Sequence, residues 1–275
     1  MKEFKNHFLL LLIVCHLCSC VRNEIVITPW STEPMPMVFS VISPNNPVEL
    51  YLGRSDFKKD STTKIPYPEA RVFICRQDSV WFELTLPSAD HSIYTDAGNL
   101  MKIEKGSTYY LRIELTDKTL HAQTTVPVDG ATIAEASCLV PANAQPSNGS
   151  QSGSLSVKIN LPQNKEYGYY LSAFSAIIAD ARALSTGTYQ NFTFLYPHDI
   201  SSFTLYLITM DPYYQKFQLS ESVNSGQSFD SDFITIITST FGGVLPSYSN
   251  IENGVGLFGS FITDSRLVWV TTQTE

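Results

Sequence analysis

The chain has 275 residues, and its 18 basic side chains against 26 acidic ones give a formal net charge of −8 at pH 7. This balance argues against a protein that binds nucleic acids or anionic membranes, because such proteins carry basic patches. The length suits two small domains of roughly 100–150 residues each better than one.

The first twenty residues have the composition of an export signal. Lys2 and Lys5 precede an apolar stretch over Phe8–Cys18, which is too short to cross a bilayer but suits the core of a signal peptide. The stretch ends in Leu17-Cys18-Ser19-Cys20, which resembles the bacterial lipobox, where small residues precede the cleaved bond and a thiol accepts the lipid. We predict a lipoprotein signal peptide over residues 1–19 and lipidation of Cys20. An ordinary secretory signal with a cysteine near its end is the alternative.

Alternation of apolar and polar residues predicts short strands throughout the next hundred residues. In Tyr109–Leu115 the apolar residues all share one face, as expected of a sandwich strand with one buried and one wet side. Seven or so strands in about 100 residues indicate an immunoglobulin-like or transthyretin-like β-sandwich, which we place at residues 20–128. The predicted strands are Glu24–Thr28, Met37–Ile42, Val48–Leu52, Arg71–Cys75, Val80–Leu86, Thr108–Leu115 and His121–Val126.

A second β-rich domain is predicted at residues 129–275, after the turn-forming residues Pro127–Gly130. The polar stretch Pro141–Gly153 reads as a long surface loop, because strand patterns flank it on both sides. The predicted strands are Thr132–Val140, Ser154–Leu161, Tyr169–Ile178, Asn191–Tyr196, Phe203–Met210, Ile234–Ile237, Gly256–Thr263 and Arg266–Thr272.

A helix is predicted at about residues 211–224. Asp211-Pro212 places a capping carboxylate before a proline at the first helical position. Tyr213, Tyr214 and Phe217 would share a face of this helix. The expected fold class is therefore all-β, with one or two short helices.

Several motifs follow one another along the chain. The most specific is Ser249–Phe261 (SNIENGVGLFGSF), and Gly106–Leu115 (GSTYYLRIEL), Thr124–Pro127 (TTVP) and the pair Tyr169-Tyr170 precede it. Together with the lipobox, these motifs resemble the Bacteroidetes lipoproteins grouped as domain of unknown function 4249, over nearly the whole mature chain. The resemblance implies two β-rich domains without an assigned activity. It also implies an association with outer-membrane TonB-dependent receptors.

The most specific motif is physically a corner of the backbone. Asn253-Gly254 and Gly256 permit a left-handed turn, and Gly259 allows close backbone approach inside a sheet. We therefore interpret the motif as structural and not as a catalytic loop.

Residue patterns for catalysis or metal binding are weak. His91, His121 and His198 lack the helical spacing and the cysteine partners of a zinc site. Gly149–Gly153 is similar to a nucleophile elbow, but Gln151 occupies the nucleophile position. Asp230–Asp232 lacks the further ligands of a calcium loop. The sequence predicts a protein that is not an enzyme and has no cofactor and no metal site.

Cysteine and serine residues carry two smaller predictions. Cys75 and Cys138 would form a disulfide in an oxidising compartment or be buried thiols in separate strands. Asp60-Ser61-Thr62 and Asp78-Ser79-Val80 resemble the short motif by which this phylum O-glycosylates exported proteins, which makes Ser61 and Ser79 candidate acceptors.

The leading functional hypothesis is a non-catalytic, lipid-anchored outer-membrane protein that assists a TonB-dependent receptor in nutrient uptake. Val21–Glu24 contains a single acidic residue, so the sequence leaves open whether the protein faces the periplasm or the cell surface. An adhesin or pilus-type subunit is the first alternative, with Arg266–Thr272 as its donor strand.

A glycan-binding module is a further alternative, and a hydrolase ranks below it. The tyrosine pairs at positions 109–110, 169–170 and 213–214 suit stacking on sugars. Against this, adjacent strand residues face opposite sides, so one tyrosine of each pair is expected in the core.

Overall fold

The computed structural model describes residues 35–54, 67, 69–77, 79–87, 92–141, 150–163, 166–173, 176–180, 184–197, 200–225 and 248–272. Several predictions fall outside these residues and are not addressed by the structure. They are the signal peptide with Cys20, Ser61, His91, His198, Asp230–Asp232 and the strands Glu24–Thr28 and Ile234–Ile237.

Fourteen strands and one α-helix make up the described part of the chain. The first half contains β1 (Pro36–Ile42), β2 (Glu49–Arg54), β3 (Arg71–Arg76), β4 (Phe82–Leu84), β5 (Ile93–Thr95), β6 (Thr108–Glu114) and β7 (Thr119–Thr125). The second half contains β8 (Thr132–Val140), β9 (Ser150–Asn160), β10 (Gly168–Ala173), β11 (Ala176–Asp180), β12 (Tyr189–Pro197), β13 (Ser202–Met210), α1 (Pro212–Ser225) and β14 (Val255–Thr272).

These strands form a large sheet and a small sheet. The small sheet has four strands in the order β4-β3-β6-β7. The large sheet has ten, and its longest path runs β11-β10-β13-β14-β1-β2-β5, with β8, β9 and β12 attached in turn beside β14. The all-β class predicted from the sequence is confirmed.

The strand β14 organises the large sheet. It pairs in parallel with β1 near its start and with β8 at its end, and antiparallel with β13 in between. Strands from both predicted domains therefore pair with the same strand, and residues 34–275 form one compact unit. The domain boundary after residue 128 stays a prediction, as does the immunoglobulin-like or transthyretin-like detail of the first domain.

Side chains from both sheets pack into one N-terminal core. The small sheet's β6 shows the predicted alternation, with Tyr109, Leu111 and Ile113 buried and the residues between them half-buried. Each such side chain contributes roughly 1.5–3 kcal/mol when it is fully removed from water. The main members of this core are Val38, Ile42, Leu50, Leu52, Val72, Ile74, Leu84, Tyr109, Leu111, Ile113, Leu120, Phe258 and Ile262.

Two further clusters contain most of the buried residues from the second half of the chain. One is the C-terminal core, formed by apolar residues of β8, β9, β10, β11, β13 and β14 with Ala131 and Leu184. The other lies beneath α1, where Tyr214 and Phe217 pack against Met37, Phe39 and Leu257. The helix is therefore held by the sheet it covers.

Four details differ from the sequence prediction. The polar stretch Pro141–Gly153 is not all loop, because β9 already begins at Ser150. The single strand predicted at Tyr169–Ile178 is instead the antiparallel pair β10 and β11. The two last predicted strands are one continuous strand, β14. The short strand β5 has too few residues to show a period and was not predicted.

The glycine-rich corner predicted in the Ser249–Phe261 motif is present. Asn253 has φ of 62° and Gly256 has φ of 126°, values that L residues with bulky side chains avoid. A Cβ atom on Gly256 would overlap the carbonyl oxygen of Val38, to which Gly256 is paired in the sheet. The close backbone approach expected at Gly259 is therefore tightest at Gly256.

Replacing Gly256 by Ala should destabilise the fold strongly. The new Cβ would collide with backbone in the β1–β14 pair, and we expect the free energy of unfolding to fall by about 3 kcal/mol or more. Gly187 is the matched control, since it also has positive φ, 76°, but open space around its Cα. Gly187→Ala should cost only about 1–2 kcal/mol from backbone strain. Urea unfolding of both variants measures the difference, and equal losses would contradict the close approach.

Buried tyrosines should resist ionisation. Burial raises the pKa of Tyr169 and of Tyr170 to about 12 and that of Tyr214 well above its ordinary value. Because these folded-state pKa values exceed the unfolded value of about 10, their contribution to stability is complete below about pH 10 and is lost as the pH rises through about 12.

The phenolate absorbance of the native protein measures this effect. At about pH 11, with ordinary tyrosines largely ionised, these three should still be protonated. In urea, all 14 tyrosines should titrate together. Complete ionisation of the folded protein at that pH would contradict the burial of these side chains.

Candidate functional site

The helix α1 begins at a buried carboxylate, as the sequence predicts. Asp211 Oδ1 accepts hydrogen bonds from the backbone N–H groups of Tyr213 (2.6 Å) and Tyr214 (2.9 Å). Both donors lie in the first turn, where helical N–H groups have no intrahelical partner. The side chain of Asp211 is fully buried, so this cap belongs to the interior and not to the surface.

The other oxygen of Asp211 ties the helix to both sheets. Asp211 Oδ2 accepts from Thr124 Oγ1 (2.7 Å) of β7 and from the hydroxyl (2.9 Å) and backbone N–H of Ser260 in β14. Burial raises the pKa of the Asp211 carboxyl, and these hydrogen bonds partly offset the rise by favouring the charged form. We refer to Asp211, Thr124 and Ser260 as the buried node.

The buried node connects the helix to both sheets and does not contact solvent. All three side chains have zero exposure, and both carboxylate oxygens are used by protein donors. Sequence reasoning found the cap but missed Thr124 and Ser260, which lie far from Asp211 in the chain. The only sequence signal for them is that both fall within motifs, TTVP and SNIENGVGLFGSF.

An apolar surface lies on the outer face of the large sheet. We define the C-terminal patch as Leu139, Tyr206, Leu267 and Trp269, whose exposures are 44%, 42%, 53% and 64%. Their chain neighbours point the other way, into the C-terminal core, because successive strand residues face opposite sides. Those inward neighbours are Cys138, Val140, Leu205, Leu207 and Val268.

The strand register brings the four side chains of the C-terminal patch together. Leu267 and Trp269 are two residues apart on β14 and so share a face. Tyr206 and Leu139 pair with Ser265 and Thr271 of β14, which places each of them diagonally next to Leu267 or Trp269.

The immediate surroundings of the C-terminal patch are hydroxyl groups. Thr204 pairs with Leu267, and Ser202 pairs with Trp269. The two charged residues of β14 next to the patch are bound to the backbone of β8. Arg266 donates to the carbonyl of Ile133, and Asp264 accepts from the Ile133 N–H. The patch therefore presents apolar and hydroxyl groups on a rigid strand.

A groove of about 410 Å³ lies on the outer face of the small sheet. We refer to it as the outer groove. It is lined by the side chains of Gln77, Trp81, Tyr110 and His121, with Cys75 beside them, and by residues 111 and 122. None of these residues is an Asp, Glu, Lys or Arg. Burial raises the pKa of the Cys75 thiol, which keeps that side chain neutral as well.

Trp81 is held in place by an arginine. The guanidinium carbon of Arg112 lies 4.6 Å from the centroid of the Trp81 ring and 4.8 Å from that of Phe73. Its Nε atom lies 3.3 Å from the Glu114 carboxylate, close enough for an ion pair although not aligned for a hydrogen bond. Trp81 keeps 37% of its surface exposed, so part of the indole remains accessible beside the outer groove.

The sequence-predicted site residues are scattered. Cys75 and Cys138 are free, buried thiols, one in the small sheet and one in the large sheet, so the structure does not support the disulfide alternative. Ser79 is exposed, and its hydroxyl donates to the carbonyl of Arg76 at 2.7 Å. Its O-glycosylation stays a prediction. His121 lines the outer groove.

The tyrosine pairs follow the expectation that one member of each belongs to the core. Tyr109, Tyr169 and Tyr214 are buried, and their partners are half-buried. In the outer groove, Tyr110 is accessible because its neighbour fills the N-terminal core. Sequence reasoning did not identify Trp81 or Trp269 as exposed, since both lie within apolar strand patterns.

Within the described residues, no group of three or more His, Cys, Asp or Glu side chains is arranged to hold a metal ion. In the same part of the chain, no helix is both long and apolar enough to cross a membrane.

The fold and these surfaces define an all-β protein with two exposed aromatic sites and a buried polar node. Residues 22–266 match the family model described as Domain of unknown function (DUF4249). Because the match covers far more than half of the chain, the protein belongs to this family.

Other comparisons add little. No curated protein matches the chain. A solved structure, the chimeric titin Z1Z2 functionalized with a KLER exogenous peptide from decorin, aligns over 88% of this chain and 99% of its own at 10% identity. Its TM-score of 0.20 is too low to support an argument about the fold.

Removing the carboxylate of the buried node should be costly. Asp211→Ala leaves the N–H groups of Tyr213, Tyr214 and Ser260 buried without an acceptor, and we expect a loss of about 3–5 kcal/mol in the free energy of unfolding. Asp211→Asn keeps the cap but turns an amide N–H₂ towards the Ser260 N–H, so an intermediate loss of about 2 kcal/mol is expected.

The exposed Asp129 provides the control for this series, since Asp129→Ala should change stability by no more than about 0.5 kcal/mol. Chemical unfolding followed by tryptophan fluorescence measures all three variants. An Asp211→Ala protein as stable as Asp129→Ala would show that the node does not hold the fold.

Proposed function

We propose that this protein is a non-catalytic lipoprotein of the outer membrane that acts as the accessory partner of a TonB-dependent nutrient-uptake receptor. Cys20 carries the lipid anchor, and the C-terminal patch contacts the receptor. The observation that carries the proposal is the exposure of Trp269, Leu267, Tyr206 and Leu139 on one rigid sheet face.

The composition of the C-terminal patch supports a protein partner. Contiguous apolar surface on a soluble domain marks interaction sites, and the centres of protein interfaces are rich in Trp and Tyr and poor in charge. Trp269 also occupies the position typical of an energetic hot spot, since hydroxyl-bearing residues surround it and can form a polar rim. An aromatic side chain on a strand that is paired along its length loses little conformational entropy on binding.

The identity of the partner rests on the sequence. The lipobox supports an anchor in the same membrane as the receptor, and a shared membrane raises the effective concentration of one protein for the other. The family resemblance supports the association with TonB-dependent receptors. The proposal holds whether the lipoprotein faces the periplasm or the cell surface.

The alternative of an adhesin or pilus-type subunit has less support. Its expected donor strand, Arg266–Thr272, is engaged within its own chain, since its residues pair with β13 and with β8. Releasing this segment to complete another subunit would break the centre of the large sheet.

Replacing Trp269 should separate the lipoprotein from its receptor. We expect immunoprecipitation of the wild-type protein from detergent-solubilised native membranes to recover a TonB-dependent receptor in stoichiometric amount. Trp269→Ala should lower that recovery tenfold or more, because truncating a hot-spot residue costs about 2 kcal/mol or more. Leu267→Ser should lower it in the same direction.

Two exposed residues outside the C-terminal patch provide controls. Leu100 is 71% exposed and Trp81 lies on the small sheet, so Leu100→Ser and Trp81→Ala should recover the receptor as the wild type does. Mass spectrometry identifies what is recovered. Wild-type lipoprotein recovered alone, or with a series of pilin-like proteins, would refute the proposed function. Receptor binding that survives Trp269→Ala and Leu267→Ser would refute the assigned surface.

A further inference from the structure

We propose that the outer groove is a binding site for the uncharged pyranose rings of a glycan, with Trp81 as the stacking platform. The inference goes beyond the proposed function, because it rests on the small sheet alone and not on the C-terminal patch or the lipid anchor. Either proposal can therefore fail without the other.

The platform is the indole of Trp81. Pyranose rings present a face of C–H groups, and the electron-rich face of an aromatic ring binds such partly positive hydrogens. The guanidinium carbon of Arg112 lies 4.6 Å from the centroid of this indole, and this cation–π interaction fixes the orientation of the ring. Since the ring is already ordered before a ligand arrives, binding costs little side-chain entropy.

The remaining lining of the outer groove matches the hydroxyl groups of a sugar. The Gln77 amide both donates and accepts, and so does the Tyr110 hydroxyl; the His121 ring adds a nitrogen that can do either. Sugar hydroxyls are themselves donors and acceptors, so a neutral ring can satisfy all three side chains. A concave surface with apolar walls and a few converging polar groups is the usual form of a small-molecule site, and about 410 Å³ lies within the usual range of about 300–1,000 Å³.

The charges around the outer groove favour a neutral ligand. No Asp, Glu, Lys or Arg is among its lining residues. The arginine at the outer groove is Arg112, which stacks on Trp81 and forms an ion pair with Glu114. Two further arginines of this sheet face also pair with acidic side chains: Arg71 makes two hydrogen bonds to Glu83, and Arg76 pairs with Glu104. A carboxylate or sulfate in the groove would lose its hydration and would have to compete with Glu114 for Arg112. Neutral sugars are therefore preferred over uronic acids and sulfated sugars.

The scaffold of the outer groove is rigid. Cys75, Tyr110 and His121 lie on β3, β6 and β7, which are consecutive paired strands of the small sheet. Gln77 and Trp81 lie between β3 and β4. Sites built on strands keep their geometry better than sites built on loops. Tyr110 and His121 are therefore positioned by the sheet before binding, and Trp81 is positioned by its contact with Arg112.

The test uses the full lipoprotein in detergent on an array of immobilised polysaccharides. The probes are neutral glucans, mannans, xylans and galactans, with polygalacturonate and heparin as charged comparisons. We expect binding to at least one neutral polysaccharide and to neither charged one. Trp81→Ala should weaken that binding tenfold or more, and Gln77→Leu, at an exposed position just after β3, should weaken it less.

Trp269→Ala is the matched control, because it removes a second exposed indole on the other sheet and should leave glycan binding unchanged. Trp81→Phe keeps an aromatic ring and should retain more affinity than Trp81→Ala, which separates loss of the platform from loss of the fold.

Three results would overturn the inference: no binding to any neutral polysaccharide, preference for the charged ones, or equal weakening by Trp81→Ala and Trp269→Ala. Loss of receptor recovery with retained glycan binding would leave this inference standing and remove the proposed function.

Discussion

The burial of the Asp211 carboxylate is the constraint on which the rest of the structure depends. An isolated buried charge is strongly unfavourable, so this side chain is tolerated only when its donors are all in place. Those donors come from the first turn of α1, from Thr124 in the small sheet and from Ser260 in the large sheet. The helix and the two sheets must therefore assemble together, because a partly satisfied node is worse than none.

The position of β14 follows from this node. The hydrogen bonds from Ser260 to Asp211 hold β14 against the start of α1. The corner at Asn253 and Gly256 turns the chain into its parallel pairing with β1. From Ser260 the strand runs without a break to Trp269, carrying the C-terminal patch on its outer face. The motif Ser249–Phe261 thus positions β14 within the scaffold, while both candidate binding surfaces lie outside it.

Sequence reasoning succeeded where the determining interactions are local. The alternation in β6 and the cap at Asp211 each depend on residues within a few positions of one another. It failed where distant contacts decide: Asp264-Ser265 reads as a break between two strands, but Asp264 accepts from the Ile133 N–H, so the strand continues. The exposure of Trp81 was hidden for the same reason, since it depends on packing against Arg112. Both surface sites were thus beyond a reading of the chain alone.

The two proposed sites occupy different sheets, and this separation has a consequence for affinity. A glycan in the outer groove does not need to leave when the C-terminal patch contacts a receptor, because no residue lines both sites. In such an arrangement neither site has to bind its ligand with high affinity. The proposed lipid anchor would confine the protein to the membrane of the proposed receptor, where a weak protein contact is sufficient at high effective concentration. A groove that stacks one sugar weakly can likewise retain a polysaccharide, because many copies on one membrane engage one long chain. Weak sites also release their ligand readily, as a protein that passes a nutrient to a receptor must.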